Sequence, residues 1–133
     1  MEDSMYDRGM RARREVLGDA YVDNATRTAD AFNRDFQRFV TEYCWGEVWS
    51  QGVLSRKQHS LNNLCLLAAL NRPQEFELHF RGALRNGCSL EELRETLMQI
   101  AVYAGVPAGV EAFRIARKVL AERDASVAEG GEP

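Results

Sequence analysis

A chain of 133 residues is long enough to bury a core and short enough to form one domain. Its 45% hydrophobic and 28% charged residues are ordinary for a globular protein. A formal net charge of −3, with one dense basic cluster at Arg11 to Arg14, argues against the broad positive footprint of a nucleic-acid-binding protein.

The apolar runs fall short of membrane-spanning length, the longest being LCLLAAL at 64–70, and the N-terminus MEDSMYDRG is too acidic and polar for a secretory signal. A cytoplasmic protein that engages neither membrane nor nucleic acid is expected. The cluster RARR reads as a solvated helix face or a subunit contact. Cys44, Cys65 and Cys88 are odd in number, widely spaced and free of any C-x-x-C, which points to reduced thiols rather than a disulfide frame or zinc site.

In chain order, a first helix is expected over Tyr6 to Leu17, ending at Gly18. A second runs from about Ala25 to Tyr43, with Ala29, Phe32, Phe36, Phe39, Val40 and Tyr43 at spacings of three and four. The segment WGEVW follows, then a turn around Gly52. Ser55 and Gln58 form a capping box that opens a third helix reaching about Leu70. Pro73 suits the first turn of a fourth helix, which Gly87 terminates. Ser89 and Glu92 make a second capping box for a fifth helix ending before Gly105, and Pro107 starts a sixth that runs to about Arg123. The pattern predicts an all-α single domain of about six helices over 1–123, with a disordered tail at 124–133.

His79 stands out. Helical spacing places it with Phe76, Phe80 and Ala83, the side a helix turns to the core. A buried imidazole needs partners for both ring nitrogens, so it is either a satisfied core residue or a catalytic group in a small pocket. His59, Asn62 and Asn63 form a polar patch on the preceding helix, with Arg56 one turn earlier. That patch either caps loops and faces a partner subunit or lines a cavity with His79 and WGEVW; spacing alone favours the former.

The blocks WGEVW, GVLSRKQHSLNNLCLLAALNR, ELHFRGALRNG, SLEELRETLMQIAVYAG and VPAGVEAF, in that order from about Tyr6 to Leu120, together resemble the carboxymuconolactone decarboxylase family. The resemblance implies an AhpD-like helical fold and a homo-oligomer, commonly a trimer or hexamer, with the pocket at a subunit contact. It implies no cofactor and no metal. The family activity removes carbon dioxide from 4-carboxymuconolactone, giving 3-oxoadipate enol-lactone in protocatechuate catabolism. Alternatives are a decarboxylase or isomerase of a related keto acid or lactone, and a non-catalytic oligomeric binding protein. Alkylhydroperoxidases of the same superfamily use C-x-x-C with a histidine four residues later; here those positions hold Arg72 and Glu75, so both thiols are missing.

Carried onto this chain, the resemblance makes His79 the acid that protonates the ring carbon after carbon dioxide leaves, with Glu47 orienting the ring and raising its pKa. Glu47 alternatively crowds the departing carboxylate. Arg56 and His59 hold the spectator carboxylate of a small anionic lactone, while Trp45, Trp49 and Tyr103 wall the site, the Tyr103 phenol being a candidate oxyanion donor. Family members tend to carry arginine where this chain has His59, which reaches less far and is only partly charged at neutral pH. The departure bears on the substrate and on what holds its carboxylate.

Overall fold

Ser4 opens the first helix with a reciprocal cap. Its hydroxyl accepts from the Asp7 N–H at 3.0 Å, and the Asp7 carboxylate accepts from the Ser4 N–H at 3.4 Å. The computed structural model describes residues 3–130, and every regular element among them is helical. Helix α1 (Met5–Leu17) ends at Gly18, whose φ of 90° lets the chain turn at once into α2 (Asp19–Thr28).

The single helix expected from Ala25 to Tyr43 is instead broken. The Asp30 carboxylate accepts from the N–H groups of Phe32 and Asn33, and the Asn33 amide oxygen accepts from the Asp30 N–H. These local bonds satisfy backbone that a continuous helix would otherwise use. The chain resumes as α3 (Arg34–Phe39) and passes directly into a π-helical segment, Val40–Trp49, that absorbs WGEVW. A π segment of this length is rare, and such segments concentrate at functional sites.

Helix α4 (Arg56–Ala69) starts where Ser55 Oγ accepts from the Gln58 N–H at 3.0 Å, as the capping signal predicts. Helix α5 (Pro73–Arg85) carries Pro73 at its first position. Both halves of the Ser89–Glu92 box are formed at the start of α6 (Leu90–Ala104). Helix α7 (Val106–Ala128) continues five residues past Arg123, so the segment expected to be a disordered tail is helical to Ala128; residues 131–133 lie outside those described. Among the described residues seven α-helices and the π segment replace the expected six or so.

Contacts divide the chain within α4, after His59, into two compact units where the sequence suggests one domain. In the first, α1 lies against the π segment. Gly9 makes this approach possible, since a Cβ there would sit 2.0 Å from the Thr41 carbonyl oxygen and 2.9 Å from the Gly46 nitrogen. Ala12, Val16, Leu17, Val22, Trp45 and Trp49 are buried. In the second unit α4 (from Ser60), α5, α6 and α7 enclose a core containing Leu64, Phe76, Phe80, Leu97, Ile115 and Val119. An ionic clamp joins α5 to α7: Glu77 accepts from Lys118 at 2.9 Å and Arg81 at 3.1 Å, and Arg81 also reaches Glu122 at 2.6 Å. Among the described residues no helix is long and apolar enough to cross a membrane.

Candidate active site

Helix α5 turns Phe76, Phe80 and Ala83 inward, as their spacing predicts, and leaves His79 half-buried beside them. Its Nδ1 lies 3.5 Å from the amide nitrogen of Asn63 on α4. The polar patch and the lone histidine therefore do meet, through Asn63. This is the arrangement that spacing alone disfavours.

The protonation of His79 departs from expectation. Burial pushes the imidazole down to about 4, and the nearby Glu75 carboxylate only partly opposes this. The carboxylate acting on the ring is thus Glu75, one turn earlier on the same helix, and the net direction is opposite to the raised pKa assigned to a Glu47 partner. Removal from water outweighs one partly solvated charge.

Trp45, Glu47, Trp49, Arg56 and His59 belong to the first unit, and His79 and Tyr103 to the second. Glu47 is exposed on the π segment, and its carbonyl accepts from the Gln51 amide at 3.4 Å. Trp45 and Trp49 are buried, with ring centroids 4.6 Å apart, and the His59 ring lies 5.2 Å from Trp49 at a 39° tilt. This tryptophan pair packs as core, with His59 at its end.

His59 Nε2 is buried and meets no hydrogen-bond partner among the described residues. Arg56, expected to grip a carboxylate of substrate, already forms an ion pair with Glu15 of α1. Tyr103 is 85% exposed at the C-terminal end of α6, so within its own chain it shields nothing from water.

Among the described residues Cys44, Cys65 and Cys88 form no disulfide, and burial raises the Cys65 thiol, making it a poorer nucleophile. One charged residue escaped the sequence reading. Arg13 lies within RARR, yet is only 6% exposed, because it sits one turn from Gly9 on the face of α1 that packs against the π segment. Its spacing with Gly9, Val16 and Leu17 was the available signal.

Comparison with known proteins agrees with the resemblance. A model of the carboxymuconolactone decarboxylase family matches residues 34–118. The chain is 41% identical over 116 residues to a nitrosuccinic acid decarboxylase of Metarhizium robertsii, covering 87% of this chain and 81% of that protein. It is 37% identical over 118 residues to the 4-carboxymuconolactone decarboxylase of Acinetobacter baylyi, covering 89% and 88%. A 4-carboxymuconolactone decarboxylase of Pseudomonas putida is 44% identical over 46 residues, which is 35% of this chain and 96% of that one. The chain belongs to the carboxymuconolactone decarboxylase family.

Proposed function

We propose that the protein is a carboxy-lyase that decarboxylates a small dicarboxylate carrying its own electron sink, with 4-carboxymuconolactone as the leading substrate. The observation that supports this most directly is the likeness, over nearly nine-tenths of the chain, to a 4-carboxymuconolactone decarboxylase. In that lactone the departing carboxylate sits on the ring carbon bonded to the lactone oxygen. Loss of carbon dioxide pushes two electrons through the ring double bond to the carbonyl, leaving a dienolate. The substrate accepts the electrons itself, so the reaction requires no pyridoxal or thiamine.

What remains for the protein is to stabilise charge on the carbonyl oxygen, to protonate the neighbouring ring carbon and to hold the second carboxylate. Only contacts that strengthen in the transition state accelerate the step, so a cation clamped on the departing carboxylate would be counterproductive. His79 is the proposed acid. A ring held neutral by burial takes up a proton when a dianion binds nearby, because the anion offsets the cost of the buried charge. Asn63 orients the ring through Nδ1, and Glu75 tempers its loss of basicity. Glu47 is retained as a candidate partner of substrate or of the acid, and a homo-oligomer as the functional form.

A second substrate is favoured by one observation, that the Metarhizium robertsii relative is a nitrosuccinic acid decarboxylase; it fits the expectation, drawn from the family resemblance, that His59 replaces an arginine. Nitrosuccinate obeys the same logic. The carboxylate on the nitro-bearing carbon leaves, the electron pair enters the nitro group as a nitronate, and a proton then returns to carbon.

Purified protein given each compound separately, with carbon dioxide release followed, distinguishes the two. Turnover of 4-carboxymuconolactone is expected; release from nitrosuccinate alone transfers the assignment to it, and release from neither overturns both. His59→Arg is expected to lower activity on the true substrate severalfold, an effect that unchanged kinetics on both acids would exclude.

A further inference from the structure

An arginine buried without an acid is costly, and Arg13 is one. Its guanidinium has five N–H donors. Nη1 donates to Thr41 Oγ1 at 3.2 Å and Nη2 to the Gln37 amide oxygen at 3.1 Å, both neutral acceptors. Nε is buried and reaches no acceptor, and no carboxylate among the described residues pairs with the group. Burial alone dominates its electrostatics and pulls its pKa down. A cation taken out of water and left unpaired is strongly disfavoured unless an anion joins it.

The surroundings are suited to one. Arg13 lines a groove of about 600 Å³ built wholly within the first unit, from α1, the Thr26–Ala29 end of α2, α3 and Thr41. Arg34 and Arg38 stand exposed at its mouth, with Asp35 as the lining carboxylate. Three guanidinium groups against one carboxylate leave a surplus of two positive charges; counting Glu42, which lies 3.6 Å from Arg38, leaves one. Thr41 is fixed for its part: its hydroxyl donates to the Gln37 carbonyl at 2.8 Å, which turns its oxygen lone pairs towards Arg13.

We propose that this groove is a binding site for a small organic dicarboxylate, one carboxylate meeting the Arg13 guanidinium and the other lying towards Arg34 and Arg38. The site uses none of the residues assigned to decarboxylation. Its test does not depend on turnover.

Succinate is the probe, titrated by calorimetry into the full-length protein at constant ionic strength, with chloride and inorganic phosphate as controls. Saturable succinate binding is expected, weakened at least about tenfold in Arg13→Met, the loss of a charge-assisted hydrogen bond. Arg13→Met replaces an unpaired buried charge by an apolar chain of similar reach, so the unliganded variant is expected to melt no lower than the parent. Should that variant fail to fold, Arg38→Gln decides: a severalfold weaker affinity upholds the site, and an unchanged one overturns it. Equal succinate affinity in parent and Arg13→Met overturns the proposal, as does an equal response to chloride. Loss of self-association in Arg13→Met without succinate binding to the parent would assign the missing carboxylate to a second copy of the chain, and overturn it too.

Discussion

At pH 7 an imidazole with a pKa near 4 is protonated in only about one molecule in a thousand. If His79 is the acid, kcat/KM, which reports the free enzyme, rises about tenfold for each unit the pH falls from 8 to 5. In contrast kcat, which reports the bound complex, holds level to higher pH because the substrate dianion raises the ring's pKa. Steady-state profiles on the active substrate measure both. A flat kcat/KM would show that the neutral ring serves only as a hydrogen-bond donor. His79→Gln, which keeps a polar group of similar size, should lower kcat by roughly a hundred- to ten-thousandfold.

The same burial sets an acid lability. The folded chain holds its histidine proton below the ordinary value of 6.5, so between 6.5 and 4 the unfolded chain binds more protons. Stability from this group is complete above pH 6.5 and lost as the pH falls towards 4, by up to about 3 kcal/mol. Urea denaturation should show the parent weakening over that window and His79→Gln weakening less. At this scale helical spacing placed His79 beside the core-facing Phe76, Phe80 and Ala83, but it carried nothing about the ring's charge, which depends on how far packing excludes water. Arg13 passed unnoticed because a basic run reads as solvent-facing until helical phase is imposed on it.

Among the elements, two contacts carry specific expectations. Gly9→Ala drives a methyl into the Thr41 carbonyl, and backbone cannot swing aside as a side chain can. The substitution should cost about 1–3 kcal/mol or more by chemical denaturation, and a neutral result would mean that α1 does not sit tightly on the π segment. Glu77→Gln removes the charge that holds Lys118 and Arg81, in a partly solvated clamp. A loss of about 1 kcal/mol is expected by the same measurement.

Caps and prolines announced α4, α5, α6 and the start of α7, because those signals are local. The break at Asp30–Asn33 hid behind a regular apolar period, since side-chain bonding to nearby backbone leaves no mark on hydrophobic spacing. The π segment hid for a related reason: the apolar spacing of WGEVW does not report which backbone hydrogen-bond register the chain adopts.

For the whole molecule, we propose self-association, motivated by apolar side chains left in water. Phe32 is 98% exposed and Tyr103 85%, with Phe36 and Val102 also largely open. Sedimentation at micromolar concentration should show a closed oligomer, and a monomer throughout would remove the subunit-contact pocket from the mechanism.

Taken alone, the sequence determined the helical class, most helix boundaries and the family, and it marked His79 as a histidine beside an apolar helix face. These rest on periodicity, caps and motif order, all written along the chain. Tertiary structure alone decided that Asn63 meets His79, that the ring is neutral when free, that Arg56 is engaged by Glu15, and that Arg13 is buried without an acid. Each of those depends on which groups lose water and which distant groups approach. Burial and partnership are properties of packing in three dimensions.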